Sequence, residues 1–191
     1  MNRIFRWLGK FLLPMALLQV TAASAQKQDA GLYVATPQAV VDTMLEMGSV
    51  SAADYVIDLG SGDGRIVRTA ARRFGASGTG VEIDPELVAL ANHEARKDGV
   101  SARATFVSAD LWTFDVSKAT VVTVYLLPSA QTRLKQKLLA ELKPGTRIVS
   151  HDYPFPDWQP LEQKVVVDHT KFAVIGEGKA TLYLYVVPPK N

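Results

Sequence analysis

The 191-residue chain has no cysteine, which excludes disulfides, thiolate metal sites and cysteine nucleophiles. Surplus charge is nearly absent as well. The 21 Lys and Arg stand against 19 Asp and Glu, a formal +2, too little for the electrostatic footprint of a protein that tracks phosphates. No nucleic-acid partner is expected. Histidine is scarce, three in all, and neither a metal site, an internal repeat nor a low-complexity tract stands out. Chemistry is left to Asp, Glu, Tyr, those histidines or a bound cofactor. At 48% hydrophobic and 21% charged, the chain can build one ordinary globular core.

Long hydrophobic runs are also missing. Phe11 to Val20 is apolar but short and carries Pro14, whereas a membrane-spanning helix needs about 20 residues. Arg3, Arg6 and Lys10 precede it, and Ala23-Ser24-Ala25 follows as a small-x-small cleavage signal. This tripartite pattern predicts a signal peptide over 1–25 and export to the periplasm or medium, with an uncleaved membrane anchor as the alternative. One domain, 26–191, remains. It has 18 basic and 19 acidic side chains and is expected to be a monomer.

In that domain helices and strands alternate. Thr36 is read as the N-cap of a helix, with Pro37 at its first position and Gly48 as a left-handed stop. Strands are expected at Asp54–Leu59, Thr79–Ile83, Ala104–Val107, Ala119–Tyr125 and Thr146–Ser150. The intervening helices start at Arg65, at Asp84-Pro85 and at a Ser129 cap. This order predicts an α/β fold with a doubly wound, mostly parallel sheet. Lys164–Asp168 and Ala180–Val187 flank Gly176-Glu-Gly178 with no helix between, which predicts an antiparallel hairpin at one edge.

The most informative stretch is Asp58-Leu-Gly60-Ser-Gly62-Asp-Gly64-Arg65, between a strand and a helix. Glycines there let the backbone turn tightly and approach a ligand. The dinucleotide fingerprint requires glycine at position 65, where Arg65 stands, and no Gly-Lys-Ser/Thr completes a P-loop. Asp58 and Asp63 repel a pyrophosphate but suit an ammonium or sulfonium cation. Glu82, ending the second strand, is placed to accept ribose hydroxyls. A nucleoside with a cationic tail fits all three acids.

On this loop and Glu82 the chain resembles the class I S-adenosylmethionine-dependent methyltransferases, whose fold is Rossmann-like with seven strands. The resemblance implies that Asp58, Gly60, Gly62, Gly64 and Glu82 bind S-adenosylmethionine, joined by Asp110 and Leu111 after the third strand. Tyr33-Val-Ala-Thr36-Pro37, together with the strand ends Tyr125-Leu-Leu-Pro128 and His151-Asp152-Tyr153-Pro-Phe155-Pro, resembles a branch of that class. These are the small protein-lysine methyltransferases related to the family that modifies the c-ring protein of ATP synthase. That resemblance implies Tyr33, Thr36 and Pro37 at the cofactor, Tyr125, Tyr153 and Phe155 at the acceptor, and a protein lysine or a small molecule as acceptor. Tyr125 and Asp152 are the candidate catalytic groups, by orienting the amine or passing on its proton. Ordinary strand-end packing for Tyr125 and loop hydrogen bonding for His151 and Asp152 stand as the alternatives.

Amino-group nucleic-acid methyltransferases carry an Asn/Asp-Pro-Pro-Tyr motif that is missing at Tyr125–Pro128, and arsenite methylation needs absent cysteines. A non-catalytic exported nucleoside-binding module is the competing reading, because S-adenosylmethionine is made in the cytosol. A nicotinamide dehydrogenase comes third.

Overall fold

The computed structural model describes residues 33–168 and 178–190. The signal-peptide expectation and the turn expected at Gly176-Glu177 fall outside them. In chain order the elements are α1 (Gln38–Met47), β1 (Tyr55–Leu59), α2 (Arg65–Phe74), β2 (Ser77–Glu82), α3 (Pro85–Lys97), β3 (Ala104–Ser108), β4 (Val121–Val124), α4 (Pro128–Glu141), β5 (Arg147–His151), β6 (Glu162–Val167) and β7 (Lys179–Val186). They form one seven-stranded sheet in the order β3-β2-β1-β4-β5-β7-β6. The first five strands are parallel, and β7 runs antiparallel to both β5 and β6. This is the doubly wound sheet with an antiparallel edge hairpin that the pattern predicts.

The central strands are buried on both faces, so they read as mainly apolar runs, interrupted by Asp58, Thr123, Ser150 and His151. Alternation sorts the two sides. Ile57, Leu59, Val122, Val124 and Ile148 pack on Leu134, Leu138 and Leu142 of and just beyond α4. Val56, Val121 and Val149 pack on Val40, Val41, Met44 and Leu45 of α1 and on Ile66 and Ala70 of α2. A third cluster joins α2 to α3 and β3 through Val67, Ala71, Ala91, Ala95 and Phe106.

Three local expectations are corrected. Thr36 does not cap α1. Pro37 is the N-cap at φ −56° and ψ 148°, and its carbonyl accepts from the N–H groups of Val40 and Val41 at 3.0 Å. Gly48 is right-handed at φ −70°, and the left-handed step falls on Ser49 at φ 48°. Gly48 is small because a Cβ there would press on Met44, Val121 and Val149. Ser129 lies inside α4, whose N-cap is Leu127 with Pro128 at the first position. The Asp84 cap holds, accepting the Glu86 N–H at 2.9 Å.

Strand β2 starts two residues earlier than expected and carries Gly80. A Cβ there would overlap the Phe106 ring and the Ser61 side chain, so glycine lets the loop after β1 close onto β2. Strand order reverses between β1 and β4. In open α/β sheets the crevice at the carboxyl ends beside such a switch point is where ligands bind.

Candidate active site

The glycine loop leaves β1 at this switch point. Gly60, Gly62 and Gly64 have φ of 80°, 52° and 77°, values that favour glycine strongly. The Gly60 and Ser61 N–H groups donate to the Val81 carbonyl at 2.9 and 3.1 Å. A Cβ on Gly62 would overlap the Tyr33 ring, so position 62 is closed to side chains by φ and by space. Glu82 is held by backbone donors. Its Oε2 accepts from Gly62 at 3.0 Å, and its Oε1 accepts from Ile83 and Asp84 at 2.8 and 3.0 Å.

Asp58 is 3% exposed. Burial pushes its carboxyl up to about 7, the Thr123 hydrogen bond opposes, and the charges of Glu82 and Asp63 push further up. Thr123 donates to it at 2.7 Å. Among the described residues no cation lies within ion-pair distance of Asp58. Asp63 differs. Burial works against its charge, yet Arg65 holds its carboxyl below the usual range, with Nη2 at 2.6 Å. Of the two acids expected to face a cation, Asp58 keeps that capacity and Asp63 is neutralised by its neighbour.

Arg65 also ties down the segment before α1, donating to the Thr36 carbonyl at 2.8 Å. Tyr33 bonds Asp63 and lies against Gly62; burial first, then the Asp63 charge, raises its hydroxyl above the ordinary value. Tyr33, Thr36 and Pro37 thus form a strap across the glycine loop. After β3, the Asp110 carboxylate accepts the Trp112 N–H at 2.7 Å and its carbonyl accepts from Thr113 and Phe114. This tight turn seats Leu111 in the core.

The ends of β4 and β5 form the facing wall. By alternation Asp58, Thr123 and His151 point to the α1 side of the sheet. Tyr125, just beyond β4, continues that row. Its ring stacks on His151 with centroids 3.8 Å apart and lies 6.4 Å from Tyr153. His151 is fully buried, with Nδ1 3.4 Å from the Thr36 hydroxyl and Nε2 3.5 Å from the Asp152 carboxylate. Asp152 sits at φ 63° and is clasped to β7: its Oδ1 accepts from Thr181 N–H at 3.0 Å, and its N–H donates to the Thr181 carbonyl at 2.7 Å.

Phe155, expected at the acceptor, lies in the core behind the ends of β4 and β5. It is 2% exposed, its ring packs on Tyr185 and Trp158, and its N–H donates to the Tyr185 hydroxyl at 3.0 Å. It anchors the loop after β5 to the core. Four residues absent from the expected set also matter: Ser61, Thr123, Arg65 and His151. Ser61 and Thr123 carried a weak signal as hydroxyls inside a glycine loop and a valine strand. The contacts of Arg65 with Thr36 and of His151 with Thr36 and Tyr125 span too much sequence to be read locally.

The sheet order, glycine loop and strand-ending Glu82 define the class of S-adenosylmethionine-dependent methyltransferases. A Salinibacter ruber protein described as an RNA methyltransferase, solved with S-adenosyl-L-homocysteine, superimposes with a TM-score of 0.74 at 44% identity, covering 83% of this chain and 96% of that one. Residues 58–162 match the ANTKMT methyltransferase domain, and the chain belongs to that family. It is 48% identical over 158 residues to a protein-lysine N-methyltransferase of Saccharolobus islandicus, covering 81% of this chain and 92% of that protein. It is also 39% identical over 132 residues to the mouse adenine nucleotide translocase lysine N-methyltransferase, covering 69% of this chain and 53% of that protein. The chain is therefore an enzyme, and neither the non-catalytic module nor the dehydrogenase stands.

Its cofactor is S-adenosylmethionine, and the site's own residues fit that group. A buried acid without a cation suits a sulfonium and an ammonium, and the positive φ of Gly60, Gly62 and Gly64 shapes the turn beside it. The buried Ser61 Oγ has no hydrogen-bond partner among the described residues. Among those residues no cluster of His, Asp and Glu is arranged to hold a metal, and no helix is long and apolar enough to cross a membrane.

Proposed function

We propose that this enzyme methylates the side-chain nitrogen of a lysine in a protein acceptor, at the carboxyl ends of β1, β4 and β5. One observation carries the reading: the buried Asp58 and the Tyr125–His151 stack lie on the same side of adjacent paired strands. A cation-binding loop and an aromatic wall therefore share one crevice. The lysine chemistry of the archaeal and mouse relatives supports it.

Gly60, Gly62 and Gly64 would cradle the methionine part of the cofactor, with Asp58 opposite its positive charge. Glu82 would take the ribose and Asp110 the adenine, with Leu111 packed in the core behind it, and Tyr33, Thr36 and Pro37 would close over it. When bound, the cofactor supplies a methyl group activated by a positively charged sulfur. The chain's part is to align the amine, exclude water and remove a proton. A free lysine has a pKa of about 10.4, and the rings of Tyr125 and Tyr153 make a low-dielectric slot that favours the neutral amine. Tyr125 offers the hydroxyl that orients the amine. Asp152, clasped to Thr181 and beside His151, is the second polar group at this wall and a route for the proton. Phe155 supports the wall from the core.

Export after cleavage at Ala25–Gln26 is the reading we favour for the N-terminus, supported by the tripartite pattern of residues 1–25; retention as a membrane anchor is the other. Mass spectrometry of the natural N-terminus distinguishes a start at Gln26 from an intact Met1.

The acceptor is tested by incubating purified enzyme with methyl-labelled S-adenosylmethionine and an envelope extract of the source cells. Label that survives ribonuclease and is lost to protease supports the lysine reading. An RNA acceptor is the second reading, favoured by the Salinibacter relative and opposed by the near-neutral charge. Ribonuclease-sensitive label would establish it, and label only in the small-molecule fraction would overturn both.

A further inference from the structure

His151 is the one fully buried imidazole among the described residues of the site, and it joins three segments far apart in sequence. Thr36 of the strap meets its Nδ1, Tyr125 of the β4 end meets its face, and Asp152, fastened to β7, meets its Nε2. Lying at the end of β5, it is held by the antiparallel ladder to β7, where its partner is Leu182, while the parallel ladder to β4 ends one residue earlier at Ser150. Tyr125, in contrast, lies past the last residue of β4 and so beyond the strand ladder. Two aromatic faces lie beside its ring, with centroids at 3.8 Å for His151 and 6.4 Å for Tyr153. The nearer face is rigid and buried, whereas Tyr153 sits on a loop.

We infer that His151 is a positioning residue for methyl transfer: its imidazole face sets the aim of the Tyr125 hydroxyl toward the acceptor amine. This rests on the reading of Tyr125 as an acceptor-site residue. The residue does not touch the reacting atoms. A flat ring at position 151 is what the function requires, because a stacked plane fixes both the distance and the tilt of its neighbour. Misalignment of about 1 Å at a reacting centre costs up to about a hundredfold in rate. Full burial at the end of β5 keeps its own plane from turning.

The test is a double-mutant cycle between His151→Leu, which fills the space without a plane, and Tyr125→Phe, which keeps the ring without the hydroxyl. His151→Phe restores the plane. The readouts are labelling rates at saturating cofactor and envelope extract, half-saturation by extract, and cofactor affinity from calorimetry. The expected results are a loss of about thirtyfold in rate for His151→Leu, cofactor affinity within about threefold, and His151→Phe within about fivefold of wild type. In the Tyr125→Phe background, His151→Leu should cost little more, since there is no hydroxyl left to aim.

Multiplicative losses, or a Leu variant as fast as wild type, would overturn the inference while leaving Tyr125 in place. A Tyr125→Phe enzyme with unchanged rate and half-saturation would overturn the reading of Tyr125 itself, and the inference with it. If the Leu variant fails to fold, His151→Asn replaces it in the same cycle and is read the same way.

Discussion

Two aspartates four residues apart, at opposite ends of β1, have opposite surroundings. Asp54, at the amino end, is met by the Arg147 guanidinium, by the Thr120 hydroxyl at 2.7 Å and by the Ser51 N–H and hydroxyl at 2.8 and 2.9 Å. Burial raises its carboxyl, but these partners outweigh burial and hold it below the usual range. Arg147 also donates to the carbonyls of Gly48 and Ser49, tying the end of α1 to the sheet. Asp58, at the carboxyl end, has one hydroxyl donor and is pushed up to about 7. The first end is satisfied and serves stability. The second leaves a buried acid without a cation, an arrangement that costs stability and makes sense only if a ligand brings the positive charge.

The largest effect should come from Asp58→Asn. Cofactor affinity should fall about a hundredfold or more, as when one partner of a buried charge pair is removed, while the melting temperature of the free enzyme stays level or rises. Arg147→Met should do the reverse. We expect a loss of about 2 kcal/mol in chemical denaturation, because Asp54 is left buried without its cation, with cofactor affinity within about twofold. If Arg147→Met weakened cofactor binding as much as Asp58→Asn, the two ends would not be separable.

The pH dependence follows with a definite sign. With a folded value of about 7 against an ordinary 3.8, the folded free enzyme keeps the Asp58 proton that the unfolded chain has lost. Its contribution to stability is complete below pH 3.8 and is lost as pH rises through about 7. Melting curves of wild type, compared with Asp58→Asn, should show this decline and the variant should not. At about pH 6, cofactor binding should release up to one proton, seen by calorimetry in buffers of different ionisation enthalpy; no proton release would mean that the carboxyl does not change its protonation on binding, against the account. The smallest effect is expected for Thr123→Val, which removes the hydroxyl donor to Asp58 and should weaken cofactor binding a fewfold, for the loss of about 1 kcal/mol of hydrogen bonding.

The parts of the molecule legible in sequence are those whose causes are local. The glycine loop, the strand-ending Glu82, the Asp84-Pro85 helix start and the alternating edge hairpin are each specified by residues a few positions apart. The expectations that failed were overridden by distant contacts. Thr36 is drawn from the cap of α1 toward His151, 115 residues on, and Phe155 is drawn into the core by Tyr185. Gly48 is right-handed and fits closely against the Met44 carbonyl, Val121 and Val149, so space and not handedness favours a small residue there. Asp63 looked like a second cation-facing acid because its local pattern shows charge but not that Arg65 folds back onto it. The residue types at the ends of β4 and β5 were readable, whereas their stacking order, with His151 beneath Tyr125, depends on strand register.

Methyl transfer to a protein lysine at the carboxyl end of this sheet stands or falls on tandem mass spectrometry of the acceptor band labelled by the purified enzyme. Methyl groups are expected on a lysine side chain in the wild-type reaction, and none with Asp58→Asn at the same cofactor concentration. Methylation of another residue type, or undiminished lysine methylation by Asp58→Asn, would refute it.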